Sequence, residues 1–162
     1  MPTTITRDGQ ELSFSVFFGT KNTLSLTLHL EMDSADEQIG SMRFMRKAPA
    51  RAQITSATID GVGVFNAATD DFTDLRSEEM KIIAYAQTKL TLKSMRGGFQ
   101  ETYSALTADG FTVRELMDTL ADFEMHARNS AKGWFGGVDL HHTYFEGLCE
   151  NKDGSVSPLW GS

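Results

Sequence analysis

Two adjacent histidines, His141 and His142, lie in the stretch GGVDLHHTYFEGLCENKDG (residues 136–154). Around them are Asp139, Glu146, the chain's one cysteine, Cys149, and an Asp153-Gly154 pair. These are the residue types of metal ligation and of acid–base catalysis. What they can do depends on the backbone that carries them. The paired glycines and the β-forming residues that follow read as an extended strand, in which successive side chains alternate faces. Asp139, His141, Thr143 and Cys149 then share one face, and His142, Tyr144 and Glu146 the other. The two imidazoles are split, and either face offers at most two nearby candidates for the three or four ligands that zinc requires. No metal is expected on this reading.

A calcium loop fails as well. Counting back from Gly154 as the invariant glycine puts Cys149 at the first ligand position and Trp160 at the twelfth, where oxygen ligands are required. NKDG (residues 151–154) reads instead as a hairpin turn. A catalytic reading keeps His141 as general base with Asp139, two residues away on the same face, orienting the imidazole. Its nucleophile is missing: Cys149 is too far along a regular strand, and it reads as a small buried hydrophobe. There is no G-x-S-x-G elbow, no G-x-x-x-x-G-K-[ST] loop and no G-x-G-x-x-G turn. His141 and Asp139 are therefore the catalytic candidates of a chain expected to be non-enzymatic and without a cofactor.

The binding candidates are Trp134, Tyr144, His142 and Phe17. Trp134 sits between glycine-containing loops, an unusual place for a large apolar side chain. Phe17 falls on the polar side of its strand beside Ser13 and Ser15. Trp160, next to the end of the sequence, is expected to be buried and to clamp the last strand.

The elements that must position these residues begin as antiparallel β-structure. Asp8-Gly9 joins a short strand to ELSFSVFF, with Leu12, Phe14, Val16 and Phe18 on one face. LSLTLHLEM then alternates strictly: Leu24, Leu26, Leu28, Leu30 and Met32 inward, with His29 outward. Two more strands, SMRFMRK and RAQITSATI, are separated by Pro49, and Asp60-Gly61 reads as a further hairpin turn. The apolar spacing of Leu75, Ile82, Ile83, Ala86 and Leu90 predicts a helix over about 74–88. A strand hairpin is expected over 89–106.

A second helix opens at a capping box, Thr112 with Glu115, with Phe111 and Leu116 as hydrophobic staple. Its apolar stripe is Val113, Leu116, Met117, Leu120, Phe123 and Ala127, with a Glu124–Arg128 pair on the exposed side. The fold expected is one α+β domain over 1–162: a mainly antiparallel sheet of about five to eight strands, with two helices packed on one face. The N-terminal meander builds the sheet and the last hairpin completes it.

Composition narrows the function classes. At 40% hydrophobic and 23% charged residues, the 162-residue chain has the make-up of a folded globule. A formal charge of −7 argues against nucleic acid as the main ligand. The one basic cluster, Arg43, Arg46, Lys47 and Arg51, reads as a guarded strand end. No segment approaches the roughly 20 apolar residues of a membrane helix, and MPTTITRDGQ is unlike a secretory signal. With a single cysteine, the chain is expected to be cytoplasmic.

The leading functional expectation is a non-catalytic interaction or assembly module. It would act through its sheet surface and exposed aromatics, on another protein or on copies of itself. The alternatives are a small-molecule module with Trp134, His141 and Tyr144 at a sheet–helix pocket, and a hydrolase-type enzyme using His141.

Overall fold

The computed structural model describes residues 2–32, 47–49, 53–95, 98–130 and 137–162; at 47–49 and 137–139 it describes the backbone. Arg43, Arg46, Arg51 and Trp134, with the readings placed on them, lie outside these residues.

The chain opens with a hairpin, β1 (Thr3–Arg7) and β2 (Gln10–Phe14), paired from Thr3–Phe14 to Arg7–Gln10. Asp8 and Gly9 both take positive φ, 48° and 80°, the backbone of the tight turn that Asp-Gly favours. β3 (Asn22–Met32) buries Leu24, Leu26 and Leu28 and leaves His29 exposed, as its alternation requires. It pairs with β5 (Ile54–Asn66), which follows the short β4 (Lys47–Pro49). Asp60-Gly61 is not a hairpin turn. It lies inside the 13-residue β5, where Ser25 pairs with Gly63 but Thr27 with Asp60, so β5 carries one extra residue. Gly61, at φ 59°, forms this β-bulge.

β6 (Asp71–Asp74) returns along β5. The helix expected over 74–88 is absent. In its place are a 3-10 turn (Ser77–Lys81) and β7 (Ile83–Tyr85). The adjacent β-branched Ile82 and Ile83 resist helical packing. Glu79, which a surface helix would leave in water, is buried against Arg7 of β1. β8 (Lys89–Lys93) and β9 (Gln100–Ser104) form the expected hairpin.

β10 (Phe111–Thr112) pairs with β7 and leads into the α-helix, α1 (Val113–Ser130). The capping box is formed: the Glu115 amide donates to Thr112 Oγ1 at 3.1 Å, and the Thr112 amide to Glu115 Oε1 at 3.4 Å. The whole apolar stripe is buried. Thr112→Ala should therefore lower stability by about 1 kcal/mol, read from the urea midpoint; an unchanged midpoint would mean the cap is idle. Glu124 and Arg128 do pair, Nε to Oε1 at 2.9 Å, but both are buried rather than on the exposed side.

β11 (Gly137–Asp139) pairs with β4, and β12 (Tyr144–Glu150) with β13 (Val156–Gly161) across the 151–154 turn. The main sheet has seven strands in the order β6-β5-β3-β12-β13-β8-β9, antiparallel except for β13 beside β8. The class is α+β, with one α-helix among the described residues rather than two packed on the sheet. The last hairpin lies in the middle of the sheet rather than at its end.

β3 and β12 touch at Tyr144–Thr27 and then part. Residues 15–18 fill the gap. The Ser15 amide donates to Asn22, and the Leu24 amide to Ser15; on the other side Leu148 donates to Val16 and Phe18 to Leu148. Leu24, Leu26, Val64, Leu90, Leu92, Phe145, Leu148 and Val156 from the sheet join Leu116, Leu120 and Phe123 of the helix in one core. Among the described residues no helix is long and apolar enough to cross a membrane.

Candidate functional site

The segment holding the histidines is two strands, not one. Between β11 and β12, residues 140–143 belong to neither strand, with a bend at His141, and both histidines fall in this connection. Their rings are not divided between two faces. They meet edge to face, with centroids 5.2 Å apart. The backbone there is anchored from three sides. The Arg128 guanidinium donates to the His142 carbonyl, the Leu28 amide to Thr143, and the Thr143 amide to Gly161. The same guanidinium stacks 5.7 Å from the Trp160 ring centroid. The pair read as a solvated surface bridge thus ties the helix to the histidine turn and to the last strand.

The side chain of Asp139, and with it the Asp139–His141 dyad, lies outside the described residues. Trp160 is partly buried against Phe145, ring centroids 5.4 Å apart, and its buried Nε1 has no hydrogen-bond partner among the described residues. Phe17 packs on the core, with its ring 6.2 Å from that of Tyr85. Its neighbour Phe18, expected inside, is the exposed one at 57%. β2 ends at Phe14, so the alternation does not run on to that position.

Cys149 is likewise exposed rather than buried. Phe145 pairs with Trp160 and Gly147 with Leu159, so Glu146 is an extra residue that resets the alternation. Phe145 and Leu148 both point to the core as a result, and Cys149 points away.

The helix covers one face of the sheet. The other face shows Tyr144, 53% exposed, on the fourth of seven strands. Beside it in register are Thr27 of β3 and Asp60 of β5, whose carboxylate lies 2.7 Å from His29 Nε2. Farther along, Phe65 and Phe72 pair across β5 and β6, and the Phe72 ring overhangs Gly63 while staying 46% exposed. At the other end of this face Thr91 and Thr102 share a 2.8 Å hydrogen bond, flanked by Lys89 and Lys93. A depression of about 340 Å³ at the 151–154 turn includes Lys93, Asn151, Asp153 and Ser157 in its lining. His141 and Tyr144, two of the residues expected at a ligand pocket, are not part of it.

A cluster that sequence reasoning missed lies on the helix side of the sheet's β9 edge. Glu101 and Tyr103, two apart on β9, face Asp122 and His126, four apart on α1. The Tyr103 hydroxyl lies 2.8 Å from both Glu101 Oε2 and Asp122 Oδ2. Its burial, followed by its bonds to these two carboxylates, pushes the phenol far above its ordinary range, so it stays a proton donor. His126 Nδ1 is 3.5 Å from each of the same two oxygens. The signal in the sequence was limited to alternation on β9 and i,i+4 spacing on the helix, with nothing local to join them.

No family model matches the chain, and neither a curated protein nor a solved structure resembles it significantly.

Proposed function

We propose that the protein is a non-catalytic assembly module whose uncovered sheet face docks against a second copy of the chain. One observation carries this reading: among the described residues no layer covers that face, and Tyr144 stands at its centre with Phe72 toward one end. Tyrosine and phenylalanine are the residue types that anchor interfaces, because they bury a large area for few rotatable bonds.

The charges on the face point to a second copy as the occupant. Its β5–β6 end carries Asp60 and Asp74, and its β8 strand carries Lys89 and Lys93. Two copies laid with opposite ends together bring acid to base at both ends, as a two-fold interface requires. The β9 edge adds a second route, since Gln100, Thr102 and Ser104 put no charge on its uncovered side.

Sedimentation velocity over a range of concentrations tests the proposal. The expected result is reversible self-association that Tyr144→Arg weakens by about tenfold or more, with its circular dichroism spectrum unchanged. A monomer at every concentration overturns it. So does association that Tyr144→Arg and Phe72→Glu leave intact, or capture of an unrelated protein on this face by a chain that never self-associates.

A further inference from the structure

We infer that Glu101, Asp122 and His126 form a binding site for a divalent first-row transition ion of the zinc type. Among the described residues, one ligand atom from each of these three side chains lies within 4.8 Å of the other two. The site does not depend on the assembly face, since Glu101 and Tyr103 point to the opposite side of the sheet.

The distances separate ligation from ordinary hydrogen bonding. At 3.5 Å, the two contacts of His126 Nδ1 are longer than N–H···O hydrogen bonds, which cluster near 2.9–3.0 Å. A tetrahedral ion with bonds of about 2.1 Å holds its ligand atoms roughly 3.4 Å apart. The imidazole nitrogen therefore stands at the edge length of one coordination tetrahedron from each carboxylate oxygen, and the two oxygens lie within 4.8 Å of each other, so one ion can reach all three and keep a fourth position for solvent.

The chemistry of the donors selects the ion. Two carboxylates match a charge of +2, and an imidazole nitrogen favours zinc and its neighbours over magnesium or calcium, which take oxygen. Tyr103 supplies the outer shell: its hydroxyl lies 2.8 Å from both liganding carboxylate oxygens, and its single proton, donated to one or shared between them, helps fix their direction. The ligands also come from rigid elements, β9 and the middle of α1, and Phe99 packs 5.7 Å from Phe123 and 6.5 Å from the His126 ring.

Titration of the full chain with Zn²⁺ by calorimetry, with Co²⁺ absorption as a second readout, tests the site. Competing positions exist at His29–Asp60, at the His141–His142 turn and at Cys149, so each needs its own variant. The expected result is one ion per chain, a raised thermal midpoint, and loss of binding in His126→Gln and in Asp122→Asn. Tyr103→Phe should weaken binding by about 10- to 100-fold, while His29→Gln, His141→Gln/His142→Gln and Cys149→Ser should leave it unchanged. No binding, or binding that survives His126→Gln and Glu101→Gln but is lost in one of the other variants, overturns the inference. Should Asp122→Asn fail to fold, His126→Gln and Glu101→Gln decide the matter alone.

Discussion

Gly147→Ala should destabilise the protein by about 3 kcal/mol, measured as the shift of the urea midpoint at constant slope. Gly147 has φ 124°, in a region open to glycine and strained for any L side chain. It also lies where residues 15–18 enter the gap between β3 and β12. A Cβ there would come within 2.6 Å of the Phe18 nitrogen and 2.7 Å of its Cα. Both are backbone atoms, so no rotamer change relieves the overlap. Relief requires residues 15–18 to move out, which breaks the bonds from Leu148 to Val16 and from Phe18 to Leu148.

Gly154→Ala is the control, since Gly154 has φ 88° but nothing within 4 Å of the site of a Cβ. That variant should lose only about 1 kcal/mol, the conformational part. The difference between the two is the packing contribution. Hydrogen exchange should show the Phe18 and Leu148 amides losing protection in Gly147→Ala alone. Equal losses from the two variants would mean that residues 15–18 yield at no cost and do not lock the sheet.

The same residues show which parts of the fold the sequence discloses. Signals complete within a few residues were legible. Asp8-Gly9 makes its turn, the Leu24–Leu28 alternation sets the buried face of β3, and Thr112 with Glu115 starts the helix. Each is a local arrangement whose partners are near in sequence. Where a distant partner decides, the local signal misleads. Asp60-Gly61 has the chemistry of a hairpin turn, yet β3 runs alongside the whole of β5 and turns the pair into a bulge. A one-residue bulge at Glu146 reverses the alternation that had placed Cys149 inside.

The candidate sites divide in the same way. Tyr144 was legible as an aromatic on a strand and is exposed on the sheet face opposite the helix. The cluster of Glu101, Tyr103, Asp122 and His126 was not, because its halves have no relation until β9 and α1 pack together.

The second large effect concerns Glu79, buried on the 3-10 turn that stands where a helix was expected. Glu79→Ala should cost about 3 kcal/mol at neutral pH, the scale of breaking a buried ion pair by removing one partner. The Glu79 carboxylate takes Arg7 Nε at 2.7 Å and Arg7 Nη2 on its other oxygen, and it also accepts the Arg76 amide at 2.7 Å. Arg7 in turn donates to the Asp74 carbonyl. The pair thus fastens the first hairpin to the 3-10 turn and to the end of β6, elements more than 65 residues apart in sequence. Removing Glu79 leaves the guanidinium without its counter-charge; replacing both residues with methionine should restore much of the loss.

The effect has a defined pH dependence. Arg7, ahead of its other partners, holds the Glu79 carboxyl at about 2, below its ordinary 4.5. A carboxyl depressed in the folded state stabilises the protein fully above its unfolded value, and that stability is lost as pH falls toward the folded value. The gap between the wild-type protein and Glu79→Gln should be constant from pH 7 to about 5.5 and shrink steadily from about 4.5 toward 2. Urea denaturation at a series of pH values reads it directly. A gap that stays constant through that interval would show that Glu79 contributes by its shape and hydrogen bonds, and not by its charge.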